Sequence, residues 1–530
     1  MLPTFAWLVL VAPAAFVVVA VIGRLRPGRE VEVVRRAGVV ASWSGLVVAA
    51  AAGVVVATNG AVQSPTAGWA GLGVSVRLDA LSTVMLAMVS LLAVIVVRFS
   101  NRYLEGDERH GRFLGRLAAT IAAVELLVVS GNIAVLFATW VATSVALHQL
   151  LVFYRDRRGA MMAARKKFVA ARVGDALLFT ALVLLYREFD TGDLATIFGE
   201  ASQAVASGWS LDGTGLAALL LAGAAILKSA QFPAHGWLVE VMETPTPVSA
   251  LLHAGILNAG PFLMLRMAYV VDGADLANAA LIVVGGATAV FASVALLTQP
   301  SIKVVLGYSS AAHMGFMLMV CGLGVYPAAL LHLVAHSFYK AHAFLASGSV
   351  IDEARAAKVP LPARLGSPSR IIGSLATALV LYVTLAWLWG VDPGGDPVLL
   401  AVGAILVMGT TQLLAPALDS VGSLVAVLRT ALLALSVTGA FFALEAGAHH
   451  LLYETAPHDT GRAPAHLVLA AAVLVTFAVV VTFQMVEPAH GTSERRRRWA
   501  VHLRNGLYAN AAFDRLVGAW RRPTPSGAGR

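Results

Sequence analysis

The sequence predicts an all-α, polytopic membrane protein of about fifteen transmembrane helices. Three observations predict it. Of 530 residues, 58% are hydrophobic, and fifteen spans of roughly 20 apolar residues each would use about 300. Charged residues make up 13%, about half of the roughly 25% usual in soluble domains. The charges fall in short connections between long apolar runs. This pattern excludes a soluble enzyme, a disordered chain and a coiled coil. The single cysteine, Cys321, excludes a disulfide framework and any all-cysteine iron–sulfur cluster or zinc finger in this chain.

The apolar runs place helices near 3–23, 37–57, 79–98, 113–130, 133–154, 167–187, 213–231, 247–271, 277–298, 303–322, 326–349, 370–390, 398–416, 423–446 and 465–486. The first run is not read as a cleaved signal peptide, because its first charge, Arg24, follows the apolar stretch. The connections alternate in charge. Arg24, Arg26, Arg29, Arg35 and Arg36 follow the first helix; Arg98, Arg102, Arg109, Arg112 and Arg116 surround the loop after the third; Arg155, Arg157, Arg158, Arg165, Lys166 and Lys167 follow the fifth. Arg355, Lys358, Arg364 and Arg370 follow the eleventh, and Arg495–Arg498 the fifteenth. The loop after the second helix holds only Arg77, and the loop after the sixth is acidic, with Glu188, Asp190, Asp193, Glu200 and Asp212. All basic clusters share one side if the amino terminus is outside and the carboxyl terminus cytoplasmic. That arrangement accounts for the +9 net charge without a nucleic-acid partner. In the tail, 494–530, Trp499, Leu503, Leu507, Phe513 and Leu516 are spaced like one helix face. The expected reading is a helix on the membrane surface, with a docking helix for a cytoplasmic partner as the rival. The closing PTPSGAGR reads as disordered.

Ionisable side chains inside apolar runs carry the functional signal, because each costs a few kcal/mol at the bilayer centre. They are Glu125, His148, Asp175, Lys228, His253, His313, His332, His336, Lys340 and His342. Groups that take and release protons explain that load better than structure alone. Lys228 lies near the end of the seventh helix, five residues before Pro233, which breaks or kinks a helix. A buried lysine can switch protonation near neutral pH, whereas a lysine at a helix end can also snorkel to the interface; the residues alone leave both open. His332, His336 and Lys340 recur at i, i+4, i+8 on one stripe, with His342 about a quarter-turn away. His-x3-His is also a metal spacing, but no Cys or acid in that run completes a site, so a proton relay is preferred to metal or to a structural histidine pair. Pro245 and Pro247 mark a helix restart that places His253 about two turns in. His313 and His148 are single histidines of the kind that more often pack in cores. No GxGxxG follows a strand and no GxxxxGK[ST] appears, so no nucleotide site, redox centre, catalytic group, metal or cofactor is assigned to this chain.

Three long motifs, GAAILKSAQFPAHGWLVEVMETPTPVSALLHAGILNAG, IKVVLGYSSAAHMGFM and LLHLVAHSFYKAHAFLASGSVI, together with AARVGDALLF, resemble the antiporter-like subunits of respiratory complex I, above all the L subunit. The resemblance covers about 79–350 and is strongest at 223–266 and 303–351. Within that superfamily, several features look more like the DabB (MpsA) type, the membrane subunit of a two-component inorganic-carbon accumulation system. These are Glu243 and Thr244, His313 in place of a glutamine, His148 in TSVALHQLLVFY, and a short tail where the L subunit continues into a lateral helix.

The resemblance implies two inverted five-helix repeats with broken helices, for which Pro233 and Pro393 are the suggestive pair. It divides the chain into N-terminal helices (1–111), an antiporter-like core (112–416), C-terminal helices (417–490) and a basic tail (491–530). It implies that Lys228 is the central lysine, His253 the polar bridge, His332, His336 and Lys340 the relay, and Asp175 a sixth-helix acid. Two departures stand out. The fifth-helix glutamate of the family is Val141 here, after Trp140, and the twelfth-helix lysine has no counterpart in ALVLYVTLAWLWGV. His148, Asp175 or Glu243 is expected to take over control of Lys228. The missing exit group fits a subunit that lets protons in to drive a partner. The implied partner is a large cytoplasmic DabA-like zinc protein resembling β-carbonic anhydrase, with proton or Na+ influx coupled to hydration of CO2 to bicarbonate and the zinc belonging to the partner. The rivals are a subunit of an Mrp-type Na+/H+ antiporter or complex I-like oxidoreductase, and a non-conducting membrane scaffold.

Overall fold

The computed structural model describes residues 2–29, 31–207, 213–348, 368–391, 424–453, 455–457, 464–486 and 494–518, with single positions at 403, 407, 409 and 411. Two short helical turns lead into α1 (Val11–Leu25) and α2 (Glu32–Asn59). After a β-containing segment come α3 (Ala80–Tyr103), α4 (His110–Val128), α5 (Ile133–Leu151) and α6 (Arg158–Phe189). A peripheral helix, Leu194–Ser207, precedes α7 (Thr214–Lys228). Then follow α8 (Thr246–Ala254), α9 (Ala259–Arg266), α10 (Asp275–Ala295), α11 (Ile302–Gly322), α12 (Tyr326–Ala346), α13 (Pro368–Leu388), α14 (Leu424–Leu452) and α15 (Pro464–Val486). The tail forms α16 (Glu494–Arg504) and α17 (Ala509–Gly518).

Fourteen of the fifteen predicted spans have a helix in place among the described residues. The predicted 398–416 span, most of the eleventh connection and Pro393 lie outside them. Ten spans are long and apolar enough to cross a membrane. The others are α4 and α12, which carry several ionisable groups, and α7 and α13, which are shorter in their apolar run. The α8–α9 segment is wholly buried, whereas α14 and α15 are mostly exposed, so the polar residues of α7, α8 and α12 surround the centre of the bundle. At one point α1 and α4 meet backbone to backbone: a Cβ on Gly23 would lie 2.6 Å from Gly115 Cα, the small-residue contact that lets membrane helices approach closely.

Three boundaries differ from the sequence reading. α6 starts at Arg158, not near 167, because its basic first turns continue the helix beyond the apolar layer. The eighth predicted helix is broken into Thr246–Ala254, Ala259–Arg266 and Ala268–Val271, with the 3-10 turn Ile256–Asn258 at the first break. The segment after α2 holds two small antiparallel pairs, Val62–Gln63 with Arg77–Leu78 and Ala67–Trp69 with Leu72–Val74. The second is a hairpin whose turn places Ala70 and Gly71 at positive φ.

Arg77, read as a lone loop charge, belongs to a buried ion cluster. Asp79 caps α3 by accepting Ser82 N–H at 2.8 Å, and takes Arg77 Nε at 2.7 Å and Arg266 Nη1 at 2.5 Å. Arg266 also donates to Ser82 Oγ (2.8 Å) and to the Val128 carbonyl (3.2 Å), tying α9 to α3 and α4. Burial works against the Asp79 charge, but Arg266 and Arg77 hold its carboxyl well below the usual carboxylate range.

The basic connections converge on one end. Arg29 pairs with Glu108 (3.1 Å), Tyr154 donates to Asp107 (2.8 Å), Arg109 lies over the Phe153 and Tyr154 rings, and Arg157 donates to the Glu243 carbonyl. The tail docks there too. Lys166, fully buried, pairs with Glu240 (2.7 Å) and Asp514 and donates to Asn510 (2.7 Å). The docking is therefore polar, and the apolar face picked out in the sequence stays largely exposed at Trp499, Leu507 and Leu516. Residues 519–530 lie outside the described residues. At the opposite end, Asp193 accepts from Gln63 and Thr66, and Tyr186 donates to the Ala70 carbonyl.

Candidate functional site

α7 ends at Lys228: Ala230 turns to positive φ, and Pro233 follows without a backbone donor. The lysine side chain crosses to α5 instead of reaching for the interface. Its Nζ donates to the Trp140 carbonyl (3.1 Å), Thr143 Oγ1 (3.2 Å) and Ser144 Oγ (2.7 Å), and lies 4.2 Å from the centre of the Trp140 ring. These neutral acceptors and the π face hold the head group where a carboxylate one residue along would have paired with it; Val141 stands there instead.

Of the three residues expected to control Lys228, the structure brings only Asp175 to it. This buried α6 carboxylate pairs with Arg172 at 2.6 Å, and its field reaches Lys228. His148 is half-buried against the Phe168 ring (5.6 Å) and faces Lys167. Glu243 sits at the start of α6, accepting Ala160 N–H at 3.1 Å, which is the work of a helix N-terminal cap. The sequence reading missed Lys167. It is buried, and its Nζ donates to the Ser144 carbonyl at 2.7 Å. Two lysines thus meet on Ser144, one at its hydroxyl and one at its carbonyl. A cavity of about 20 Å³ beside them, lined also by Leu147, Leu252 and Ile256, has room for one water by the usual threshold of ~10–15 Å³. The signal was present in the sequence: Ala163, Ala164, Lys167, Ala170 and Ala171 repeat at helical spacing, all buried.

A second cluster lies between α8, α11 and α12. His313 Nδ1 and His332 Nε2 are 2.9 Å apart, and His336 packs within 5.0 Å of His313, ring centre to ring centre. The ring nitrogens of His313, His332 and His336 come within 4.8 Å of one another. Two imidazoles of α12, His332 and His336, face this cluster, and α11 supplies the third from outside the run in which the sequence reading looked for a Cys or acid. Lys340 donates to Ser309 Oγ (2.6 Å) and to the Leu306 carbonyl (3.3 Å). His253 stacks on Phe344 at 4.3 Å, and both its ring nitrogens lack hydrogen-bond partners among the described residues. His342 is exposed on the far side of α12 and joins neither cluster. Glu125 is buried elsewhere, accepting from Ser90 Oγ (3.2 Å) on α3.

Among the described residues, no hydrogen bond joins Lys228 directly to the imidazoles. Between them lies the α8–α9 break. There Asn258 donates to the Ala254 carbonyl (2.8 Å) and to Ser337 Oγ on α12 (2.7 Å), while its Oδ1 is buried without a partner. Ser229, next to Lys228, donates to the Leu257 carbonyl at 3.5 Å. The break thus sets polar groups between the two clusters. His235, also unread in the sequence, is buried after the α7 break, beneath Gly506 of the tail.

The chain has relatives among known proteins. Residues 130–381 match the family described as NADH:quinone oxidoreductase/Mrp antiporter, TM, and residues 66–114 match the NADH-ubiquinone oxidoreductase (complex I), chain 5 N-terminus. The chain is 38% identical over 460 residues to a probable inorganic carbon transporter subunit, DabB2, of Halothiobacillus neapolitanus, covering 84% of this chain and 81% of that protein. It is 40% identical over 348 residues to a probable inorganic carbon transporter subunit, DabB, of Hydrogenovibrio crunogenus, covering 64% and 66%. Its fold resembles a chain of the Mrp complex from Dietzia sp. DQ12-45-1b, with a TM-score of 0.58 at 23% identity, across 98% of this chain and 57% of that one.

Proposed function

The chain belongs to the DabB-type branch of the NADH:quinone oxidoreductase/Mrp antiporter family, and from that premise we propose that this ion-translocating, multi-pass membrane subunit conducts protons inward to drive inorganic-carbon accumulation. In this reading it sits in a prokaryotic cell membrane with its amino terminus outside, so that the basic end and the docked tail face the cytoplasm. There it carries a large DabA-like partner whose zinc hydrates CO2 to bicarbonate.

One observation carries the reading: Lys228 is buried on the neutral acceptors of α5, with no carboxylate in contact among the described residues. An abutting carboxylate would hold the lysine in its charged form, whereas hydroxyl and carbonyl oxygens can orient both the amine and the ammonium. Lys228 can therefore take a proton from the α12 side through water at the Asn258 bridge and release it toward the basic end. Lys167, held on the same serine, lies beside that path. α13 carries no lysine, so the return half of an antiport cycle lacks its usual group, and one-way influx is the simpler outcome.

Co-purification from native membranes tests the assembly. The reading expects a large cytoplasmic zinc protein in stoichiometric amount; a set of small antiporter or quinone-reductase subunits in its place contradicts it. Lys167→Met is expected to slow proton flux in proteoliposomes about threefold to tenfold with the fold intact, a loss of about 0.6–1.4 kcal/mol in the transfer barrier. Unchanged flux removes Lys167 from the path.

A further inference from the structure

We propose that His313, His332 and His336 form a binding site for a divalent transition metal inside the bundle, and that Zn2+ bound there closes the proton path. The three donors come from two packed helices, α11 and α12, with ring nitrogens within 4.8 Å of one another and one pair already at 2.9 Å. Tetrahedral zinc with bonds of about 2.0–2.1 Å needs nitrogens roughly 3.3 Å apart, a spacing that small side-chain rotations reach from these positions. His336 is buried with neither ring nitrogen hydrogen-bonded among the described residues, so it has a lone pair to give without breaking a native bond. Three neutral imidazoles with no carboxylate select Zn2+, Co2+ or Cu2+ over Mg2+ and Ca2+. His313 and His332 also line a cavity of about 730 Å³ between α10, α11, α12, α14 and α15. The side of the cluster that faces this cavity leaves a fourth position for water. Lys340, held on Ser309 and the Leu306 carbonyl, places a like charge near the bound cation and weakens the site relative to one with an acidic ligand. This site is separate from the zinc of the proposed partner. Metal binding stands without the transport reading; closure of the path rests on it.

The test uses the full chain in detergent with its purification tag removed, titrated with Co2+ and read by visible absorption. One Co2+ per chain with the strong bands of four-coordinate cobalt is expected, displaced by Zn2+. His313→Gln and His336→Gln should weaken binding at least tenfold, while His502→Gln on the tail leaves it unchanged. His313→Cys, which keeps a ligand, should bind and add a sulfur-to-cobalt charge-transfer band, so that loss of binding in the glutamine variants is not misread as loss of fold. Absence of stoichiometric four-coordinate Co2+, or binding that persists unchanged in His313→Gln, overturns the site. Flux measured in wild-type proteoliposomes with and without Zn2+ separates the two claims: inhibition at the Zn2+ concentration that fills the site, reversed by a chelator, supports closure. Stoichiometric binding without inhibition overturns closure and leaves the metal site standing.

Discussion

Lys228→Met is expected to reduce proton flux through proteoliposomes to that of empty vesicles, while the protein still folds and still recruits its partner. Methionine nearly matches the lysine stem in volume, so packing against Leu227, Leu252 and Trp237 survives. The proton-carrying nitrogen and its contacts to Trp140, Thr143 and Ser144 do not. Lys228→Arg is expected to fail almost as fully, because a guanidinium keeps its proton at any physiological pH. Lys228→His, which can titrate, should retain a measurable fraction. This ordering, with arginine as poor as methionine and histidine better than both, separates a proton carrier from a fixed positive charge. A non-conducting scaffold would support growth in air equally well with any of the three.

The largest effect on stability is expected at Asp79. Asp79→Ala leaves Arg77 and Arg266 buried without their counter-charge and removes the α3 cap. Breaking a buried pair from one side costs about 3–5 kcal/mol. The expected readout is a large fall in the unfolding midpoint in detergent and a low yield of monodisperse protein. Asp79→Asn keeps an acceptor for Ser82 N–H and should fall between the two. The pH dependence has a definite sign. The folded carboxyl is held below its unfolded value of about 3.9, so its contribution is complete above pH ~5 and is lost progressively as pH falls below that. The wild type should lose more stability on acidification below about pH 4 than Asp79→Asn does. Equal acid sensitivity in the two would mean that Arg77 and Arg266 do not favour the charged carboxylate in the fold.

The spans were legible because apolar length alone nearly determines a membrane helix. The chemistry was legible where a titratable group interrupts such a run, as at Lys228 and His336. What the sequence hid falls into two physical kinds. Lys166 and Lys167 look like loop charges, yet α6 runs past the apolar layer and turns both inward, one to the tail and one to Ser144. Contacts between helices leave no mark on either strand of sequence: His313 joins His332 only because α11 packs on α12, and Asp79 meets Arg266 across 187 positions. Asn258 was passed over because a small polar residue in an apolar run reads as an ordinary helix residue until the break around it is seen. His342 was included because helical spacing places it near the stripe, but not on which side of the helix the protein lies.

The proposed transport depends on water spanning the gap between Lys228 and the histidines at the α8–α9 break. A cryo-EM map of the protein in a lipid nanodisc, fine enough to show bound solvent, tests this directly. Ordered density is predicted between Ser229, the free Oδ1 of Asn258 and His253, linking the two clusters. Close apolar contact at those three residues, with no solvent density between them, would contradict it.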